Sequence, residues 1–266
     1  MPLILGAMGG FTSERAGVIN IGLEGMMLMS ACVSALVGAN HGAVAGVAAG
    51  IGSSTVLAAA HCIATQVYRI DQVISGMAVN AFGVGGTSFL YEHFSDPSRS
   101  GRVPTLPLGL YEGFALVLPF AIWLYVRKTR GGLWLLAVGS DPDKARLVGI
   151  SPLRVRAFGL LATGVFTGLG GAALLSYTGV FTDNMTAGKG YIALAALVLS
   201  GWRPLPALLA CVGFGFFSAL QLELEGNPHL PAIPNEAWAA LPYVVTVIAL
   251  AGFLGRNRTP AGLGKP

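Results

Sequence analysis

Charged side chains are scarce in this sequence: twelve acids and sixteen bases among 266 residues, 11% of the total, against roughly 25% in an ordinary soluble domain. So few cannot cover the surface of a water-soluble fold of this length. Cysteine is nearly absent as well. Cys32, Cys62 and Cys211 are odd in number and each lies in an apolar run, which argues against a disulfide framework and for buried thiols. His41, His61, His93 and His229 are too scattered to gather a metal ion, and no metal or other cofactor is expected. "TGLGG" and "GFGFF" lack the lysine and the strand-to-helix setting of a phosphate loop. No nucleophile–base pair stands out, so the chain does not read as an enzyme, and any ATP is hydrolysed by another chain. A net charge of +4, with the bases in loops rather than along one face, excludes a nucleic-acid partner. "MPLILGAMGG" has no basic region to mark a cleavable signal peptide.

What the sequence has is apolar length. Hydrophobic residues make up 54% and the mean hydropathy is +0.69, so the chain must meet membrane lipid. A helix crosses a bilayer with about 20 apolar residues. Such runs lie near 19–39, 42–66, 72–91, 110–126, 156–178, 190–202, 204–222 and 237–255. The expected fold is therefore all-α, a polytopic membrane bundle of about eight spans with residues 1–266 as a single transmembrane domain. The sixth run is too short to cross unless tilted or re-entrant. The first twelve residues, apolar and shorter still, read as an interfacial piece or the remnant of a longer helix. Gly is abundant, 38 residues, as suits membrane helices that approach closely without a hydrophobic drive between them.

The bases orient the bundle. The loop 127–156 carries Arg127, Lys128, Arg130, Lys144, Arg146, Arg154 and Arg156, and positive loops face the cytoplasm. Counting outward places Arg69, Arg203, Arg256, Arg258 and Lys265 on that side too. The loop 92–109 and the base-free stretch 223–236 fall outside.

Within the first long span, "GVINIGLEGMML" (17–28) holds an amide, Asn20, and a carboxylate, Glu24, among Gly17, Gly22 and Gly25. A charge inside a membrane segment costs several kcal/mol (roughly 2.5 or more) and by default faces a cavity or a partner. Asn20 and Glu24, four residues apart, share a helix face. Broken helices of this kind line midplane sites in transporters, which makes Asn20, Gly22, Glu24 and Gly25 candidates for a substrate pathway. Glu24 lying near enough to the cytoplasm to reach water, or pairing with Arg15, is the structural alternative. Asn80, an amide between glycines in "SGMAVNAFGVGG", either lines the same cavity or makes an interhelical hydrogen bond. "GKGYIALAALVLSGW" (188–202) echoes the first stretch, with Ile192-Ala193-Leu194 set against Ile21-Gly22-Leu23 and running the other way. Paired short segments of this sort point to an inverted repeat.

The cytoplasmic stretch "GGLWLLAVGSDPDKARLVGISPLRVR" (131–156) is too long for a simple connection. It reads as a helix end at Gly131-Gly132 and then a short amphipathic helix. Asp141 is placed to cap it, Pro142 takes its first position and Gly149 stops it. A short helix held along the membrane is something a soluble partner can push on.

"ERAGVINIGLEGMML", "AVGSDPDKARLVGI", "GKGYIALAALVLSGW" and "LPYVVTVIAL" together resemble the permease subunits of bacterial ABC importers, in the nucleoside and simple-sugar branch related to ribose and branched-chain amino acid permeases. The resemblance runs over nearly the whole chain, in order. It implies cytoplasmic ATP-binding subunits, a second permease subunit (a paralogue or an identical copy) and an extracytoplasmic substrate-binding protein. It also implies a multi-pass location in the bacterial cytoplasmic membrane. The pathway segment would be carried by Asn20, Gly22, Glu24 and Gly25, and the ATPase-coupling loop by Gly139, Pro142, Ala145, Arg146 and Gly149. Two departures stand out. In the family it resembles, a full helix usually precedes the position of Met1, and Lys189 stands where arginine is more usual; the two bases bond differently. Against an ATP-driven importer moving solute by alternating access stand two other classes: a proton-coupled secondary carrier using Glu24, and a non-transporting membrane scaffold.

Overall fold

The computed structural model describes residues 1–95, 103–225, 240, 244–248, 251 and 259–265. Ten α-helices order the described residues: α1 (Pro2–Glu14), α2 (Leu23–His41), α3 (Ala43–Cys62), α4 (Gln72–Phe94), α5 (Leu108–Lys128), α6 (Arg130–Ser140), α7 (Pro142–Leu147), α8 (Pro152–Thr178), α9 (Lys189–Leu199) and α10 (Pro204–Glu225). A π-helical turn, Ile63–Val67, extends α3. The fold is an all-α membrane bundle.

Six of these helices are long and apolar enough to cross a membrane: α2, α3 with its π turn, α4, α5, α8 and α10. Eight spans were expected. The difference lies in two places. The run 190–202 forms α9, eleven residues, or roughly 16 Å at 1.5 Å per residue, about half of a bilayer's apolar core. The run 237–255 lies largely outside the described residues.

The largest departure from expectation is α1. Rather than resting at an interface, its thirteen residues sit at the centre of the bundle, with Leu5, Ala7 and Met8 fully buried. It packs on α8 and α9, and α5 and α10 close over it. Thr12 and Thr163 stitch α1 to α8: Thr12 Oγ1 donates to the Gly9 carbonyl at 2.8 Å, and Thr163 Oγ1 reaches the same carbonyl at 2.8 Å. A segment too short to span alone is stable here because neighbouring helices, not lipid, surround it.

α2 is the other central helix, packed on α3, α4 and α8. The approach of α2 to α4 depends on two glycines. A Cβ on Gly25 would meet the Val79 carbonyl oxygen at 2.5 Å, and one on Gly83 would meet Gly25 Cα at 2.5 Å. Close backbone approach of this kind replaces hydrophobic association in lipid.

Gly131 and Gly132, expected at a helix end, instead open α6, where Thr129 Oγ1 accepts the Gly132 N–H at 3.1 Å. Any Cβ at Gly132 would run into the Tyr125 carbonyl, so these glycines serve the tight α5–α6 hairpin. The segments assigned to the cytoplasm gather at one end. Gly262 N–H donates to the Gly139 carbonyl at 2.9 Å, and Arg156 donates to Gln66 Oε1 at 3.0 Å and to the Lys265 carbonyl at 2.9 Å. The bundle's other end joins Val103 to Gly179 and Ser88 to Asp183.

Candidate functional site

Two helices begin at one point inside the bundle. α2 starts at Leu23 after Gly22, and α9 starts at Lys189 after Gly188, whose φ is +79°. Each helix N-terminus leaves backbone N–H groups unpaired and carries partial positive charge. In hydrocarbon neither can be left bare.

Glu24 answers for α9. Its Oε1 accepts the Gly188 N–H at 2.7 Å and its Oε2 accepts the Gly190 N–H at 2.6 Å. The side chain is 4% exposed. Because Glu24 also lies in the first turn of α2, one carboxylate faces the positive ends of two helices. Backbone N–H groups meet the buried acid, the Lys189 charge is near enough to act on it, and among the described residues it forms no ion pair with Arg15.

Asn80, from the middle of α4, answers for α2. Its Oδ1 accepts the Gly25 N–H at 2.8 Å, while its Nδ2 donates to the Ile21 carbonyl at 3.0 Å and to the Tyr191 hydroxyl at 2.8 Å. Asn20, fully buried, folds back so that Oδ1 accepts the Gly22 N–H at 3.0 Å. The structure thus brings Asn20, Gly22, Glu24, Gly25 and Asn80 into one cluster. Tyr191, nearly half exposed, joins it from α9, together with Gly188 and Gly190. These three were not singled out from the sequence. Their link to Glu24 spans 164 and 166 residues of chain, and no local pattern carries that pairing.

The second group of candidates lies at the cytoplasmic end. Asp141 Oδ1 accepts the Lys144 N–H at 3.1 Å, capping α7, and Pro142 holds its first position. The Lys144 amide and the Lys144 ammonium, 3.2 Å from Oδ2, hold the Asp141 carboxyl below its ordinary range. The helix ends in paired bonds, Gly149 N–H to the Arg146 carbonyl and Ile150 N–H to the Ala145 carbonyl, with Gly149 at φ +83°; this is the Schellman arrangement. Pro142 and Ala145 face inward. Arg146, Leu147 and Val148 face out, Leu147 being 87% exposed.

Between the two groups runs the connection 15–22. A Cβ on Gly139 would collide with the Arg15 carbonyl, so the end of α6 rests directly on this connection. The tail clasps it from another side, Gly264 N–H donating to the Gly17 carbonyl at 3.1 Å. Further in, Ile19 N–H donates to Gln72 Oε1 at 2.7 Å, and the Ile19 carbonyl accepts from His61 Nε2 at 3.2 Å. His61 Nδ1 therefore accepts from Ser75 Oγ, at 2.8 Å. The histidine is a buried structural bridge. Among the described residues no cluster of side chains is suited to a metal ion.

Comparison with known proteins gives a consistent answer. A family model described as the branched-chain amino acid transport system permease component matches residues 1–250. The guanosine ABC transporter permease protein NupQ of Bacillus subtilis is 35% identical, over 100% of this chain and 92% of its own length. The nucleoside ABC transporter permease protein NupC of Lactococcus lactis is 31% identical, over 99% of this chain and 92% of its own. A putative glucose ABC transporter permease protein, TsgC13 of Haloferax volcanii, is 30% identical, over 94% of this chain and 87% of its own. Such a subunit is not itself catalytic, and its family implies ATPase and substrate-binding partners. With its apolar spans and full-length bacterial relatives, it is a multi-pass protein of the bacterial cytoplasmic membrane. The chain belongs to the ABC transporter permease family described as the branched-chain amino acid transport system permease component.

Proposed function

We propose that this chain forms one half of the solute path of an importer for nucleosides, with simple sugars as the second substrate class, and that a second permease subunit supplies the other half. The observation that carries this reading is the junction at Glu24 and Asn80, where the N-termini of α2 and α9 meet inside the bundle. Facing helix beginnings with polar groups between them are how membrane transporters build midplane sites. Tyr191, nearly half exposed, accepts from Asn80 and keeps its own hydroxyl proton to donate, a neutral partner that suits an uncharged polyhydroxylated solute. Glu24 holds the junction together rather than meeting solute. Two relatives named for guanosine and nucleosides and one for glucose support the substrate order.

The motor is a separate ATPase pair, and α7 is where it pushes. Pro142 and Ala145 seat the helix, and Arg146, Leu147 and Val148 meet the partner. Displacement passes from Gly139 to the connection 15–22, which leads directly into α2 and so to Glu24 in its first turn. That is a contiguous physical link of the kind coupling requires. The half-length α9 and the broken entry to α2 play corresponding parts in two halves of an inverted repeat of about eight spans. A binding protein delivers solute from outside, and the path itself needs little selectivity.

Uptake of labelled guanosine and of glucose by cells expressing the chain with its co-encoded subunits tests this. Uptake that stops on ATP depletion and ignores collapse of the proton gradient is expected. Uptake that follows the proton gradient would mean that Glu24 couples protons and that the ATP-driven reading is wrong.

A further inference from the structure

We propose that the cytoplasmic ends of α1, α5 and α10 form a binding site for an anionic membrane phospholipid, whose phosphate is held by Arg15, Arg127 and Arg203. These residues, with Phe11, Trp123 and Trp202, line a cavity of about 410 Å³. Among the described residues no acidic one lines it. Three arginines thus line one cavity, and among the described residues none of them has an ion-pair partner. Arg203 is near enough for its charge to act on Arg15, and the buried Nε of Arg15 has no hydrogen-bond partner. Glu14, adjacent in sequence, is buried behind the wall, its Oε2 accepting the indole N–H of Trp202 at 2.5 Å, and among the described residues it forms no ion pair with the three arginines. Like charges held together without a counter-charge define a site for an anion, and arginine forks fit phosphate oxygens.

A second cavity points to a lipid as the source of that phosphate. An apolar groove of about 220 Å³ runs between α1, α5, α6 and α8, and Phe11 and Val126 line both it and the arginine pocket. Charged and apolar compartments thus adjoin across Phe11 and Val126, as headgroup and acyl chain do. The walls are the ends of membrane spans on the side assigned to the cytoplasm, where the leaflet is anionic and basic pockets between helices bind headgroups. Trp123, partly exposed one turn before Arg127 at the end of α5, is of the residue type that favours the membrane interface. The Arg127 guanidinium lies 4.9 Å from the Trp123 ring centre, which steadies its position without neutralising it.

The test uses the assembled transporter, stripped of lipid in mild detergent, and follows its melting temperature. Phosphatidylglycerol should raise it, whereas phosphatidylcholine and inorganic phosphate at equal concentration should not. The double variant Arg127→Gln, Arg203→Gln should need roughly five-fold more phosphatidylglycerol for each charge lost. Lys128→Gln, on the same helix end but outside the pocket, should respond as the parent does. Ala162→Phe fills the apolar groove, leaves the arginines in place and should also weaken the response; this arm decides the matter if the arginine variant fails to assemble. Equal responses to the two lipids, protection by inorganic phosphate alone, an equal loss in Lys128→Gln or an unchanged response in Ala162→Phe would each overturn the proposal.

Discussion

The carboxylate of Glu24 accepts the backbone N–H of Gly190 at 2.6 Å, across 166 residues of chain. With the matching bond to Gly188, it fastens the beginning of α9 to the beginning of α2. An acid in hydrocarbon is costly, but here it neutralises two helix dipoles and satisfies two backbone donors at once.

Replacing that acid exposes the arrangement. Glu24→Gln keeps the shape but leaves one acceptor oxygen for two N–H groups and turns an NH₂ toward the other. Leaving a buried donor unpaired costs about 1–3 kcal/mol. The purified transporter should melt at a lower temperature, and uptake should fall with it. A Glu24→Gln protein that melts like the parent would show that the carboxylate does not hold the junction.

The contact of α2 with α4 gives a matched pair of glycine substitutions. Gly83→Ala places a Cβ 2.5 Å from Gly25 Cα, whereas Gly85 faces open space. Overpacking costs about 1–3 kcal/mol, so Gly83→Ala should destabilise the fold and loosen Asn80. Gly85→Ala should be neutral or stabilising, because alanine is the better helix former. Thermal melts of the two variants side by side decide it.

At α7 the expected losses are of function, not of fold. Arg146 is exposed, so Arg146→Glu should leave stability within about 0.5 kcal/mol and membrane expression unchanged, while ATP-driven uptake falls ten-fold or more (about 1.4 kcal/mol of coupling). Normal uptake by this variant would count heavily against the coupling role of the helix.

The cap of α7 carries its own prediction. Asp141→Asn retains a good capping residue and Asp141→Ala does not, so amide exchange at Lys144 should quicken in the alanine variant alone. The Asp141 carboxyl titrates lower in the folded helix than its ordinary value of 3.8. Its contribution is therefore complete above that value and is lost as pH falls through the folded one.

Gly139 sits between α7 and the connection 15–22. Gly139→Ala drives a Cβ into the Arg15 carbonyl, and the strain should separate the two functions: ATP hydrolysis by the assembled complex continues while uptake falls. Parallel loss of both activities, or of neither, would show that force does not travel through this contact.

Much of this was legible in the sequence because it is local or compositional. Apolar runs locate most spans to within a few residues. Asp141, Pro142 and Gly149 mark both ends of α7, since caps and stops are set by neighbouring backbone. Asn20, Glu24 and Asn80 stood out because polar groups are rare in lipid. Partners set by tertiary packing were not legible. Nothing near Glu24 announces Gly190, and a thirteen-residue apolar segment looks interfacial until its neighbours are known to enclose it. Gly131 and Gly132 could equally stop a helix or let two helices approach, and only the Tyr125 carbonyl beside them decides.

Tyr191 offers the most direct test, because it is the exposed member of the junction. With Cys32, Cys62 and Cys211 replaced, Tyr191→Cys in the assembled transporter can be labelled with a water-soluble maleimide, once without nucleotide and once with ATP trapped on the motor subunits. If the junction borders a passage that the motor opens, the labelling rate should change at least several-fold between the two states. The same rate in both would mean that the motor does not reach the meeting point of α2 and α9.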